Sequence, residues 1–241
     1  MKLIVRILSI AFISFCLSMI AGAATFVVNT TLDTADVNPG DGVCSDGSTC
    51  SLRAAISEAN SLAGADAITL PAGVYTQSLS SGNDDANVGG DWDIAGDLTI
   101  NGADADTTIV QAAAAPGTAH ERVFDIRSGT VTLNNLTVRN GNFSGLSASA
   151  LGAGIENFGN LTLDHCVVTD NRLTPGGGIG AGVYNQGSAL TLESTSVVSN
   201  INTSQLGGGN FGVGISSLSA RRCRNTSAGA RPVGSQRHCH G

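Results

Sequence analysis

Two carboxylates, Asp164 and Glu193, each close a copy of one short phrase, LTLD at 161–164 and LTLE at 190–193. If the two copies stack, the acids lie side by side. Like charges at that distance raise one pKa, as a general acid in glycoside hydrolysis requires. An exposed acidic ladder on a protein that is acidic everywhere would look the same, and that plainer reading is preferred. Asp84, Asp85, Asp91 and Asp93 crowd the stretch GNDDANVGGDWD (82–93) and are weak calcium candidates, since calcium takes oxygen ligands. Neither the EF-hand spacing nor a Gly-Gly-x-Gly-x-Asp repeat is present, so the stretch reads as a solvated insertion. Lyase chemistry on uronates wants an Arg or Lys base beside acidic residues. No Lys follows Lys2, and Arg139 and Arg172 fall at different places in their repeats. No catalytic residue is assigned on these grounds, and neither a cofactor nor a metal is expected.

Elements that would position such residues recur at regular spacing. ITL (68–70), LTI (98–100), VTL (131–133), LTL (161–163) and LTL (190–192) begin 30, 33, 30 and 29 residues apart. Apolar-Thr-apolar is the alternation of a half-buried strand. The last three copies extend to VTLNNLTVRNG, LTLDHCVVTDN and LTLESTSVVSN, with Leu136, Cys166 and Thr195 at the sixth place and a Gly-rich segment after each. Fixed-period similarity implies a solenoid. A leucine-rich repeat competes, because LDHCVVTDN fits half of its phrase, but GGGIGAGVYNQG carries helix-breaking glycines where that repeat has a second run of leucines. The expected fold is therefore all-β, a parallel β-helix of about five coils. Thr69, Thr99, Thr132, Thr162 and Thr191 would form an outward ladder, and Asn171 and Asn200 would stack at a turn. Cys166 reads as a buried small hydrophobe.

One segment reads as helix. In SLRAAISEAN, Leu52, Ala55, Ile56 and Ala59 form a narrow apolar stripe, with Arg53, Ser57, Glu58 and Asn60 facing elsewhere; Leu52, Arg53, Ala55, Ile56 and Ala59 are the expected structural cap residues. A solenoid exposes the end of its apolar column, and such a helix can cover it. TFVVNT (25–30) would supply a first strand. Cys44 and Cys50 enclose a short loop before the helix; a disulfide is favoured over free thiols, and no His lies nearby to complete a zinc site.

The phrase NPGDGVC followed by CSLRAAISEAN resembles the N-terminal signature of the CSLREA-domain family of bacterial secreted and surface proteins. AGADAITLPAGVY, GDWDIAGDLTINGADADTTIV and ERVFDI are similar to phrases that the family carries downstream. The resemblance covers about residues 25–217. Ala54 stands where the family name has Glu. What the resemblance implies is a right-handed parallel β-helix in an extracellular or cell-surface protein, with no established catalytic activity to carry over.

At the start, MKLIVR, an apolar run and AGA at 21–23 have the layout of a secretory signal peptide over residues 1–23. Residues 24–66 then form the cap and 67–217 the coils. No later apolar run reaches the roughly 20 residues of a membrane span. Between Asp33 and Glu193 five arginines face nineteen acids, a formal −14 that repels nucleic acid. Residues 218–241 break the pattern: Cys223, His238, Cys239 and His240 accompany five arginines and no acid. That tail is expected to be disordered, and a change of reading frame near Leu218 would account for it. The expected function is an interaction scaffold for glycans or surface proteins. The alternatives are a polysaccharide lyase or hydrolase on the same scaffold, and an inactive truncated fragment.

Overall fold

The computed structural model describes residues 22–80, 85–143, 151–173, 178–203, 214–217 and 223–225. The chain enters with β1 (Thr25–Val27) and the single described helix, α1 (Leu52–Ser61). It then runs through β2 (Ala65–Leu70), β3 (Gly73–Thr76) and β4 (Trp92–Ile94), followed by β5 (Asp97–Gly102), β6 (Thr108–Gln111) and β7 (Phe124–Ile126). The next coil holds β8 (Thr130–Asn134), β9 (Thr137–Arg139), β10 (Asn142–Phe143) and β11 (Ile155–Asn157). After it come β12 (Asn160–Asp164), β13 (Val167–Thr169), β14 (Arg172–Leu173) and β15 (Val183–Asn185). The last strands are β16 (Ala189–Glu193), β17 (Ser196–Val198), β18 (Ile201–Asn202), β19 (Ile215–Ser217) and β20 (Cys223–Asn225).

Each strand pairs in parallel with its counterpart one coil away, which makes the molecule a parallel β-helix. The first sheet is β1-β2-β5-β8-β12-β16-β20, the second β3-β6-β9-β13-β17, and the third β4-β7-β11-β15-β19. A short fourth sheet, β10-β14-β18, appears from the third coil onward. Inward side chains stack in rows, the longest being Phe26, Ile68, Ile100, Leu133, Leu163 and Leu192. Each fully buried member contributes roughly 1.5–3 kcal/mol.

Corners repeat as well. Asn135, His165 and Ser194 occupy equivalent places between the first and second sheets, with φ of 53°, 50° and 46°. Asn140, Asp170 and Ser199 do so at the next corner, with φ of 60°, 56° and 54°. Short polar side chains tolerate this left-handed conformation best, which explains why no aliphatic residue stands there. Just past the second corner Asn171 and Asn200 stack as expected, Asn171 Nδ2 donating to Asn200 Oδ1 at 2.9 Å. Cys166 is buried, and burial pushes its thiol up to about 11.

The Thr ladder needs one correction. Thr99, Thr132, Thr162 and Thr191 share a row, but their neighbour on β2 is Ala67, while Thr69 pairs with Asn101. The first interval is thus 32 residues and not 30. Asp66 takes an inward place and accepts the Ala24 N–H at 2.7 Å, and the strand pairs one full pleat out of step with its triplet. Polar alternation survives such a slide, since a two-residue shift keeps every side chain on its own face.

Helix α1 contacts β2 and β4 and seals the column's end with Leu52, Ala55, Ile56 and Ala59. Ser51 caps it by accepting the Ala54 N–H, and a Cys44–Cys50 disulfide closes the loop ahead of it. Arg53 and Glu58, off the apolar stripe, are nonetheless completely buried. Glu58 accepts the N–H groups of Gly40 and Gly42 at 2.8 and 2.9 Å, pinning the loop to the helix. At the other end, Cys223–Asn225 returns to the first sheet as β20 beside β16, so the expected disorder does not extend to these three residues. Residues 1–21 of the expected signal peptide (1–23) and the rest of the tail, with His238, Cys239 and His240, lie outside the described residues. No described helix is long and apolar enough to cross a membrane.

Candidate acidic site

In the third sheet each strand points its first and third residues inward. Trp92 and Ile94, Phe124 and Ile126, and Ile155 thus enter the core. The middle residues point the other way, and register aligns Asp93, Asp125, Glu156 and Tyr184 in one row. Three acids therefore follow one another on neighbouring strands, at the roughly 4.8 Å spacing of paired strands. All three are buried beneath other parts of the chain, Asp93 completely.

Two arginines hold this row. Arg122, just ahead of β7, places Nη1 at 2.9 Å from Asp125 Oδ2, 2.6 Å from Glu156 Oε2 and 3.6 Å from Asp91 Oδ2. Its guanidinium lies 4.7 Å over the Phe143 ring. Arg127, after β7, bridges Asp125 Oδ2 at 3.1 Å and Asp85 Oδ2 at 3.0 Å and lies over Phe158. Asp93 is tied to the covering loop, since its Oδ2 accepts the Asn87 N–H at 2.9 Å.

That loop is anchored to the cap. Arg53 gives Nε to Asp33 Oδ1 at 2.6 Å and Nη2 to the Gly90 carbonyl at 2.7 Å. Its Nη1 donates to the Asp91 carbonyl at 3.1 Å and to Asn87 Oδ1 at 3.2 Å. Cap helix and acidic row thus form one connected polar structure, with Arg53 at the junction.

Burial dominates the electrostatics here. It pushes Asp91 up to about 8 against the opposing pull of Arg122, with Asp93, Asp125 and Glu121 adding like-charge repulsion. Glu156 is likewise raised to about 7, and Asp125 is raised, by the same cause. Such a row favours bound protons or a bound cation over open carboxylates. Oxygens of Asp85, Asp93 and Asp125 lie within 4.8 Å of one another.

The structure distributes the acids singled out in the sequence in three ways. Asp84 lies outside the described residues. Asp85 and Asp93 join the trio, while Asp91 turns to Arg122. The stretch 82–93 is not the expected solvated insertion at its far end: Asp91, Trp92 and Asp93 are all buried, because Trp92 and Ile94 belong to a strand that faces the core. Asp164 and Glu193 pair in register on the first sheet, and Asp164 Oδ1 meets His165 Nδ1 at 2.6 Å. Arg139, on the second sheet, donates Nε to Gln111 Oε1 at 2.8 Å, and Arg172 lies on the fourth sheet. Sequence reasoning missed Arg122, Asp125, Arg127 and Glu156. A signal existed in WDI, FDI and IEN (92–94, 124–126, 155–157), each placing an acid in the middle of a three-residue strand.

A second surface stands apart from this row. The first sheet keeps its outer face open, with Thr99, Thr132, Thr162 and Thr191 in one row and Asn101, Asn134, Asp164 and Glu193 in the next, all partly or fully exposed. Asn134 donates to Asn101 at 2.8 Å, which orders the second row. Comparison of the chain with protein-family models, curated proteins and solved structures found no match.

Proposed function

We propose that this chain is an exported, cell-surface or extracellular β-helix of the CSLREA kind that acts as an interaction scaffold, binding polysaccharide along the outer face of its first sheet. One observation carries the reading: two adjacent, solvent-facing rows of Thr and of Asn, Asp and Glu repeat once per coil. Hydroxyl, amide and carboxylate groups offer both donors and acceptors to sugar hydroxyls. A ladder with strand spacing suits an extended polymer better than a small molecule, because equivalent groups recur along one line. The charge of the body and the resemblance of its cap to a family of secreted proteins support the setting, and the disulfide is in keeping with an oxidising compartment.

A glycan-array experiment with the purified protein tests this reading. Binding is expected to fall at least tenfold in Thr132→Glu and Asn134→Ala, with the melting temperature little changed. Absence of binding to every glycan, or binding indifferent to both substitutions, would refute it.

The acidic row supports a second reading, a polysaccharide lyase or hydrolase. Carboxylates on adjacent coils beside an arginine are the raw material of that chemistry, and Glu156 is raised into the range of a general acid at neutral pH. Against it stands burial, which leaves a sugar no access to Asp93 or Asp125. Release of reducing ends or unsaturated uronates from polygalacturonate, abolished by Glu156→Gln, would establish it. Loss through Glu193→Gln instead would move the chemistry to the Asp164 pair.

A further inference from the structure

We infer that Asp85, Asp93 and Asp125 form a calcium site that ties the loop before β4 to the third sheet. The first ground is geometric. Calcium sits about 2.3–2.6 Å from its oxygen ligands, so two ligands on opposite sides are separated by about 4.8 Å and all others by less. One oxygen from each of the three residues meets that limit.

The second ground is independent of the clustering. Asp125 is about 1% exposed, and only its Oδ2 is used by Arg122 and Arg127. Its Oδ1 is buried with no hydrogen-bond partner among the described residues. A desolvated carboxylate oxygen left without a donor is costly, and among protein groups it is a strong attractor of a cation. Arg127 occupies Oδ2 of both Asp85 and Asp125, so it does not consume the remaining oxygens.

Charge points the same way. Asp85, Asp93 and Asp125 bring three carboxylates to one place, Arg127 is shared by two of them, and a divalent ion offsets the remainder. Oxygen-only ligands select a hard cation, and ligands drawn from a loop and two strands suit the larger, geometrically tolerant calcium over magnesium. The site lies on different strands from the proposed glycan face and stands or falls without it.

Isothermal titration and thermal melting of the EDTA-treated protein with calcium chloride test the proposal. One bound ion and a melting temperature raised by several degrees at millimolar calcium are expected, with a weaker response to magnesium. Asp85→Asn, on a side chain 58% exposed, should leave the metal-free melting temperature close to that of the parent and weaken calcium at least tenfold. Asp93→Asn should do the same to affinity; if it does not fold, Asp85→Asn still decides. Asp106→Asn, at an exposed turn, serves as the control and should bind as the parent does. No heat and no thermal shift with calcium, or unchanged affinity in Asp85→Asn, would overturn the inference.

Discussion

Replacing Arg53 by Met should expose how far the cap and the acidic site depend on one another. The side chain is fully buried, and Met retains much of its stem volume, so the perturbation falls on the guanidinium. That group pairs with Asp33 through Nε at 2.6 Å and Nη2 at 3.2 Å and satisfies the Gly90 and Asp91 carbonyls. Without it, Asp33 keeps, among the described residues, the N–H groups of Ser78 and Leu79, at 2.7 and 3.0 Å. Removing one partner of a buried pair costs about 3–5 kcal/mol, and the two surviving N–H donors place the expectation at the lower end, about 3 kcal/mol. Urea unfolding followed by far-UV circular dichroism measures it. In the double-mutant cycle with Asp33→Asn, the lone buried charge is gone, so the pair should couple by about 2 kcal/mol or more. Limited proteolysis should show faster cleavage within residues 85–91, which Arg53 holds through three residues. A loss below about 1 kcal/mol in Arg53→Met, or additive single mutants, would refute the reasoning.

Further outcomes follow from the same physics. Glu156 and Asp91 are raised above their ordinary 4.5 and 3.8 to about 7 and about 8, so the folded chain holds protons that the unfolded chain releases. In the metal-free protein their contribution is therefore most favourable below about pH 4 and is lost as pH rises towards 7–8. For Glu156 alone it amounts to roughly 3 kcal/mol, and Glu156→Gln should partly flatten the curve of urea midpoint against pH, leaving the slope due to Asp91. Reducing the disulfide, or Cys44→Ala with Cys50→Ala, should cost about 2 kcal/mol for so short a loop, read as a lower urea midpoint. Asn171→Ala removes the acceptor of the Gly141 N–H and the donor to Asn200, both buried, and should cost about 2–3 kcal/mol by the same measurement. Gly141→Ala would drive a methyl into the Ala153 carbonyl, and overpacking of this kind costs about 1–3 kcal/mol; an unchanged melting temperature would contradict the packing described.

What could be read early was whatever depends on local alternation. LTL and its relatives place Leu inside and Thr outside regardless of the neighbouring strand, so the strands of the first sheet were legible from Thr99 onward. Asn171 and Asn200 were legible for a similar reason, each standing just past a corner in its own copy. Thr69 misled, because the triplet resembles its successors while the β2–β5 pairing is offset by two residues. The partners of Arg53 were not legible. A charged residue off a helical stripe ordinarily faces water, and Asp33 together with the loop at 85–91 supplies the acceptors that make its burial tolerable.

By itself the sequence determined the parallel β-helix, the capping helix and the Cys44–Cys50 staple, since periodicity, apolar spacing and loop length are properties of short stretches. The acidic row was decided by tertiary structure. Asp93, Asp125 and Glu156 lie 32 and 31 residues apart, and no local pattern states that these intervals bring them to one line. The lengths of the intervening turns set that register, and packing of Arg122, Arg127 and the loop over the third sheet removes the water that would otherwise make three neighbouring acids unexceptional.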